Sequence, residues 1–544
     1  MAAARKVALV CVGHWADEPR IDRYLPFSAG AYRVYAALLS PPLPDCEVRL
    51  FDIDHDNAAV VAEQLLQFAP DVLGGSAYVW SLPLLLEVAV QVKFARPYTR
   101  VVLGGPSARP AMLDLPHYRV WRDAVDALVV GEGEAAMRAL VADADLGAWS
   151  QVPGVAVRDG SHWRAPRTGD SVLLDTLPSP HQLDLAPRGR SASLETFRGC
   201  PLSCAFCEWG VWSEANRVFS QAYLERELQA YKDTGVIGAF LVDAGLNLNR
   251  RALHNLMAAE AQVGFFRDHP LATEIYAAHL RDEDFDFLSR VRCGRLGVGL
   301  QSNEDSVLQA MQRPHHRGKF ERNLARLSDL ADCVVELIVG LPGDSFAGFQ
   351  RSLAYAVALP CVEVHVYHCL ALPDGLMTRA PVGSDCDFDP ATLRMRSCAG
   401  WAAAELDQAR QWLADQATAH GGDVSEDYWS FPGSRPARTV GSRPDTGRTY
   451  ARPLVANEAA VLARAVHAAG WRVTRAVREA SGLVVVTVAR DGQEFTLELA
   501  PAGLATKTWL RVGDWGVAHR GSVASEALPG LEAVARGAVA GLAA

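Results

Sequence analysis

Short apolar runs alternate with amphipathic, helix-like stretches over residues 1–145. The runs KVALVCVG, DVLGGSA, TRVVLGG and DALVVGEGE are rich in branched residues and carry glycine at their ends. Apolar runs with helices between them predict a doubly wound, Rossmann-like parallel α/β sheet. Ligands of such sheets bind at the carboxyl ends of the strands, where the glycine-bearing loops 74–76, 104–106 and 131–134 fall. These loops are either tight turns or, as their recurrence in successive units favours, one ligand cleft.

A second βα series begins near residue 193. Its strand-like runs are SLETFRG, VIGAFLVDAG, ATEIYAA, RLGVGLQS, CVVELIVGLPG and VEVHVYHCLALPDG. Six such units predict a partial (βα)6 barrel whose active face is at the carboxyl ends of its strands. The chain is therefore divided into a ligand-binding domain (1–150), a Pro/Gly-rich linker (151–190), the barrel (191–380) and a small C-terminal α/β domain (381–544), which we expect to close over the substrate.

Composition narrows the class of protein. Of the 544 residues, 49% are hydrophobic and 21% charged, as in ordinary globular proteins. The formal charge of −10 and the lack of a basic run argue against a nucleic-acid partner. No apolar run is long enough to span a bilayer, which argues against a membrane protein. Cysteines scattered through apolar segments predict a reducing, cytoplasmic setting without a disulfide framework.

The stretch FRGCPLSCAFCEWG follows the first predicted barrel strand and holds Cys200, Cys204 and Cys207. A structural zinc site needs four ligands, and no companion Cys or His pair stands nearby. Three thiolates on a four-iron cluster leave one iron open for chemistry, so the spacing favours a 4Fe–4S cluster over zinc. We expect Phe206 to shield its sulfurs.

The CxxxCxxC spacing with an aromatic residue before the last cysteine resembles the radical S-adenosylmethionine (SAM) superfamily. FLVDAG, VGLQSNEDS and LIVGLPGDS also resemble the family's second, fourth and fifth strands, and LALPDG resembles its sixth-strand loop. The resemblance implies that the open iron binds SAM, which is cleaved to a 5′-deoxyadenosyl radical. It further implies SAM contacts from Asp243, Gln301, Ser302, Gly340 and Pro342.

Residues 6–375 as a whole are similar to cobalamin-binding radical SAM proteins. The resemblance implies that the cobalamin nucleotide tail is lined by Ser76, Gly104, Gly105, Gly131 and Glu132. The DxHxxG cobalt-ligand motif is absent, since CVGHWADE has Val12 where Asp is required. His14 is therefore interpreted as a loop histidine, and cobalamin is expected base-off with no histidine on cobalt.

Three aromatic residues are candidates for the corrin surroundings. Tyr78 and Trp80 are expected to face the lower side of the corrin and keep water from cobalt, unless they are core aromatics. Trp209, two residues after the last cluster cysteine, is expected either to bridge SAM and corrin or to pack.

These features predict a cobalamin-dependent radical SAM C-methyltransferase acting on an unactivated carbon of a natural-product intermediate. One SAM would form methylcobalamin and a second would supply the radical. The partners implied are a small-molecule or peptide substrate and a flavodoxin- or ferredoxin-type electron donor. Ring contraction, cyclisation or desaturation with the same cofactors is the alternative, and a non-catalytic cobalamin or redox sensor is a remoter one.

Overall fold

The computed structural model describes residues 4–12, 28–53, 57–143, 148–160, 162–167, 172–209 and 217–437, and the backbone of five strands between residues 472 and 519. Within these residues, no helix combines the length and the apolar character needed to cross a membrane.

The first domain is built on one seven-stranded sheet with the order β2-β1-β3-β4-β5-β6-β7. Its strands are β1 (Arg5–Val12), β2 (Cys46–Ile53), β3 (Val72–Ser76), β4 (Arg100–Gly104), β5 (Ala127–Val129), β6 (Val155–Asp159) and β7 (His162–Arg164). The helices are α1 (Ala29–Leu39), α2 (Ala58–Phe68), α3 (Leu82–Ala95), α4 (Pro110–Leu113) and α5 (Gly133–Ala142). Strands β1 to β5 are parallel, which confirms the predicted Rossmann-like sheet.

Both faces of this sheet are buried, as its apolar runs require. Val7 and Leu9 lie in the core on one face, and Ala8 and Val10 lie in the core on the other. Strands β6 and β7 add to the sheet in antiparallel fashion, so the sheet extends into the segment interpreted as a linker. The sequence pattern underrates these strands because they are short and their edge is partly exposed.

The second domain contains six parallel strands and one antiparallel strand in the order β8-β11-β12-β13-β14-β15-β18. These strands are β8 (Ala192–Leu194), β11 (Ala239–Leu241), β12 (Leu271–Ile275), β13 (Cys293–Gln301), β14 (Cys333–Val339), β15 (Glu363–His368) and β18 (Tyr428–Pro432). A short antiparallel pair, β9 (Phe197–Arg198) and β10 (Arg217–Val218), lies beyond β8. The helices are α6 (Gln221–Thr234), α7 (Arg250–Val263), α8 (Asp282–Leu288), α9 (Asp305–Ala310), α10 (Arg317–Ser328) and α11 (Phe346–Ala358). This arrangement confirms the predicted partial (βα)6 barrel.

The chain after β15 packs against both domains. It contains α12 (Leu376–Arg379), the pair β16 (Asp387–Phe388) and β17 (Met395–Ser397), and α13 (Ala403–Ala419), and it returns through β18 to the barrel sheet. Leu393 is fully buried in the core of the first domain, and the Tyr118 hydroxyl donates to the carbonyl of Ala391 at 3.0 Å. The two domains therefore share part of a core.

The described part of the C-terminal region is a five-stranded antiparallel sheet in the order β19-β20-β21-β23-β22. Its strands are β19 (Arg472–Arg478), β20 (Val484–Arg490), β21 (Gln493–Pro501), β22 (Leu510–Val512) and β23 (Trp515–His519). The first three lie on the apolar runs WRVTRAV, GLVVVTVAR and EFTLELA, which the sequence pattern predicts as strands of the C-terminal domain.

Candidate functional site

The loops at the carboxyl ends of the two parallel sheets contact each other. Glu132, which follows β5, forms an ion pair with Arg217 of β10, and Arg109, which follows β4, pairs with Asp374, which follows β15. Ligand sites of parallel α/β sheets lie at these ends, so the two predicted sites face one another across the contact.

A buried ionic network fixes this contact beside the cysteine loop. Arg198, two residues before Cys200, binds Glu134 at 2.5 Å, Glu195 at 2.9 Å and Glu132 at 3.3 Å. Burial alone would raise the pKa of Glu134, but the Arg198 guanidinium holds it below its ordinary value. Breaking such a buried pair on one side leaves an uncompensated charge, so the network fixes the start of the loop.

The three cysteines lie on one loop at the active end of the barrel. Cys204 is buried and the thiols of Cys200 and Cys207 are partly buried. Burial raises the pKa of Cys200, and it raises the pKa of Cys207 to about 11, while the neighbouring Arg313 guanidinium opposes both shifts. Cysteine thiolates are the ligands of iron–sulfur clusters, and bound metal replaces the thiol protons.

The donor chemistry of this loop fits a cluster. In a four-iron cube each cysteine thiolate binds a different iron, so three cysteines on one loop can hold three of the four irons.

Charged groups inside the barrel lie beside this loop. Glu274 of β12 and Glu336 of β14 are hydrogen-bonded to each other, and Arg313 is the cation that acts on both. Burial raises the pKa of Glu274 to about 7 and that of Glu336 well above its ordinary value. Two buried carboxyls that are hydrogen-bonded to each other share one proton at neutral pH, because the repulsion between two buried negative charges makes ionisation of both unfavourable.

Strand β13 leaves space for these groups. A Cβ atom at Gly297 would collide with the Glu274 carboxylate, and one at Gly299 would lie 3.0 Å from an Arg313 nitrogen. Arg313 donates to the Gly299 carbonyl at 2.5 Å and lies over the Tyr276 ring at 5.0 Å. The strand ends in a bulge at Gln301, which has a φ of +72°. The predicted residue Gln301 is therefore next to the charged groups.

The other residues expected to contact SAM have partners of their own. Asp243 is buried and accepts hydrogen bonds from the Thr196 backbone at 2.9 Å and from its hydroxyl, and burial raises the pKa of Asp243 to about 8. The Ser302 hydroxyl accepts from the Glu304 N–H at 3.1 Å. Gly340, with a φ of +90°, and the buried Pro342 form the turn after β14. Asp243 thus supports the strand that leads into the cysteine loop.

The aromatic residues of the first domain lie on the loop after β3. Tyr78 and Trp80 are stacked, with ring centroids 4.7 Å apart, and Trp80 is 39% exposed whereas burial raises the pKa of Tyr78. The Ser76 hydroxyl lies 3.3 Å from that of Ser28. Trp209 is 49% exposed, beside the cysteine loop. Phe206 packs against the barrel core.

The glycine loops of the first domain differ in how much space surrounds them: the loop at Gly131 is open and the loop at Gly105 is tightly packed. A Cβ at Gly131 would meet no atom within 4 Å, while one at Gly105, whose φ is +100°, would lie 2.7 Å from the Ala77 carbonyl oxygen. Gly104 ends β4 beside them. An open glycine at a strand end fits the approach of a bulky cofactor tail. Glu132 is instead held by arginines of the barrel, and His14 lies outside the described residues.

The comparison with protein families assigns both domains. Residues 194–356 match the radical SAM superfamily, and residues 36–141 match the B12 binding domain. The chain therefore contains a radical SAM domain and a B12-binding domain, which confirms the predicted resemblance. These two domains support the predicted cofactor set of a 4Fe–4S cluster, SAM and cobalamin.

Individual relatives agree with this assignment. The chain is 30% identical over 391 residues to the 2-(S-pantetheinyl)-carbapenam-3-carboxylate methyltransferase of Streptantibioticus cattleyicolor, covering 66% of this chain and 55% of that protein. It is 32% identical over 366 residues to the cobalamin-dependent radical SAM methyltransferase TokK of Streptomyces tokunonensis, covering 61% of this chain and 51% of that protein. This radical SAM enzyme therefore spans about half the length of these curated relatives.

A solved structure shares the fold. TsrM from Kitasatospora setae, a radical SAM methyltransferase solved with cobalamin and a [4Fe–4S] cluster bound, superposes with a TM-score of 0.54 at 15% identity. The match covers 72% of this chain and 84% of that chain.

Sequence reasoning missed the charged groups of this enzyme's barrel. Glu274, Arg313 and Glu336 lie in three separate segments, so no local motif brings them together. The signal was the isolated carboxylate inside the otherwise apolar runs LATEI and CVVELIV, because a charge in a buried strand needs a partner or a function.

Proposed function

We propose that this radical SAM enzyme is a cobalamin-dependent methyltransferase that methylates an unactivated carbon of a small-molecule natural product. The observation that carries the proposal is that the loops at the carboxyl ends of the two parallel sheets face each other. Arg198 and Arg109 join the cysteine loop and the glycine loops across this contact. This layout supports a substrate held between corrin and SAM. The relatives named as methyltransferases support the same reaction class.

The charged groups of the barrel suit SAM. SAM carries an α-ammonium, an α-carboxylate and a sulfonium, together with ribose hydroxyls. We assign the α-carboxylate to Arg313, which lies beside the cysteine loop, and the cationic and hydroxyl groups to Glu274 and Glu336. When bound at the cluster, SAM supplies the hydrogen-abstracting radical, and cobalamin supplies the methyl group.

The stacked pair Tyr78 and Trp80 is assigned to the lower side of the corrin. The Trp80 indole has no free nitrogen lone pair with which to ligate cobalt as an imidazole does, and burial keeps the Tyr78 phenol protonated, so both rings exclude water without ligating the metal. The assignment follows from the position of this loop at the carboxyl end of β3, beside Ser76. Phe206 and Trp209 remain the aromatic residues nearest the last cluster cysteine in sequence.

The proposal is tested without knowing the substrate. The anaerobically reconstituted enzyme is given cobalamin, a strong reductant and SAM with a deuterated methyl group. We expect S-adenosylhomocysteine to form with transfer of the labelled methyl group to cobalamin, and 5′-deoxyadenosine to form separately. Mass spectrometry measures all three. Formation of 5′-deoxyadenosine alone would favour a ring-contracting, cyclising or desaturating enzyme instead.

The shared proton of the carboxyl pair makes SAM affinity depend on pH. A protonated pair attracts a cation less, so SAM affinity is expected to rise as the pH increases through about 7, by up to about tenfold per pH unit if one proton is released. Tyr367 and Arg313 face the pair, and burial and the two carboxylates hold the Tyr367 hydroxyl neutral in this range, so the carboxyls are the groups that titrate.

Equilibrium dialysis of radiolabelled SAM between pH 6 and 8 measures this dependence. Glu274→Gln removes the site of the shared proton and is expected to flatten the profile. Glu283→Gln, on the exposed side of the barrel, is the matched control and should keep the slope. A steep profile that survives in Glu274→Gln would place the titrating group elsewhere.

A further inference from the structure

Arg109 ties the glycine loop of the first domain to the barrel. Its guanidinium donates to the carbonyl of Gly105 at 2.9 Å and to that of Ala108 at 3.0 Å. Its Nε donates to the Asp374 carboxylate at 2.8 Å, and the arginine side chain is only 7% exposed. One cation therefore holds both a loop assigned to the cobalamin tail and the loop after β15.

The loop after β15 is in turn fastened to the cysteine loop. The Asp374 N–H donates to the Glu208 carboxylate at 3.0 Å, and the Asp374 carbonyl accepts from Arg379 at 2.5 Å. Arg379 also donates to the carbonyl of Cys204 at 3.2 Å and to that of Cys207. Hydrogen bonds thus run without a break from Gly105 to two of the cluster cysteines.

Close packing makes this connection stiff. A Cβ atom at Gly375 would lie 3.2 Å from the Phe206 carbonyl oxygen, so the backbones of the two loops are in direct contact. Packed interiors transmit a displacement instead of absorbing it. A shift of the Asp374 loop therefore moves the Arg379 charge relative to the cluster sulfurs.

We propose that Arg109, Asp374 and Arg379 form a joint that couples cobalamin binding in the first domain to the reduction potential of the cluster. The proposal rests on the cofactor positions proposed above. Cobalamin on the glycine loop changes the position of Arg109, and the joint carries that change to the hydrogen bonds and charge around the cysteines. Hydrogen bonding to the sulfurs and nearby charge both help to set the reduction potential of an iron–sulfur cluster. By linkage, reduction of the cluster changes cobalamin affinity by the same factor.

The test is a redox titration of the reconstituted full-length enzyme with and without hydroxocobalamin, followed by the EPR signal of the reduced cluster. Cobalamin is expected to shift the potential by an amount equivalent to about tenfold coupling, which is about 59 mV for one electron. Cobalamin affinity, measured by equilibrium dialysis with the cluster oxidised and reduced, should differ by the same factor. Arg109→Gln and Asp374→Asn should each reduce the coupling to less than about threefold.

Three further variants test whether the loss of coupling comes from this one connection. The double variant should lose no more coupling than either single variant, because both break one connection. Arg109→Lys keeps the charge and should restore part of the coupling. Arg122→Gln breaks the Arg122–Asp114 pair of 2.7 Å in the same domain and should change nothing.

A wild-type enzyme that holds both cofactors yet shows no shift would overturn the joint. Full coupling in Arg109→Gln and Asp374→Asn would overturn it equally. Failure of the wild-type protein to bind cobalamin or a cluster would instead contradict the proposed function.

Discussion

Replacement of Cys204 by alanine is expected to abolish both the cluster and the formation of 5′-deoxyadenosine, while cobalamin stays bound. Cys204 is the most buried of the three proposed cluster ligands, with 6% of its surface exposed, so a thiol from solution does not readily replace it. A cube with only two protein sulfurs loses its iron during anaerobic desalting. Iron should fall from about four per chain to near zero.

Iron and sulfide analysis, the charge-transfer absorption of the cluster and quantified 5′-deoxyadenosine measure this effect. Cys333→Ala is the matched control, because Cys333 is also a buried barrel cysteine but lies at the start of β14, away from the loop. Retention of cobalamin by the Cys204→Ala protein separates cluster loss from general unfolding. A Cys204→Ala protein with a full complement of iron would exclude the assigned ligand set.

Arg313→Gln is expected to weaken SAM binding by about 10- to 100-fold, since a charge-assisted hydrogen bond contributes about 1.5–3 kcal/mol. Loss of the guanidinium removes the proposed partner of the SAM carboxylate. It also removes the cation that lowers the pKa values of Glu274 and Glu336, so the pair keeps its proton to higher pH and attracts the SAM cation less.

Equilibrium dialysis of SAM on reconstituted protein, together with an iron count, measures this second effect. Arg317→Gln is the control four residues further on, where the side chain is exposed and donates to the Asn303 carbonyl at 2.9 Å. Unchanged SAM affinity in an Arg313→Gln protein with a full cluster would refute the assignment.

The sequence pattern predicted the architecture because buried parallel strands have a local signature. The run KVALVCV is apolar on both faces, CVVELIV is interrupted only by Glu336, and each forms an interior strand of its sheet. The cysteine spacing is equally local, since all three proposed cluster ligands fit within eight residues. Strands β6 and β7 were assigned to a linker because short edge strands leave little periodicity to detect.

The arrangement of charges could not be predicted in the same way. Arg198 pairs with Glu134, 64 residues away, and Arg109 pairs with Asp374, 265 residues away. Such pairs arise from how two domains meet, which no window of sequence records. Asp243 and Thr196 are likewise 47 residues apart, and they meet because β8 and β11 are neighbours in the barrel sheet.

Burial of Leu393 in the first domain bears on how these enzymes can be recombined. A side chain delivered from beyond the barrel completes the packing around Tyr118 and its neighbours. A chimera that exchanges only the amino-terminal third would pack Leu393 against a foreign core whose shape does not match it. Modular exchange within this group therefore needs three junctions, because the segment between residues 370 and 395 has to come from the same parent as the amino-terminal third.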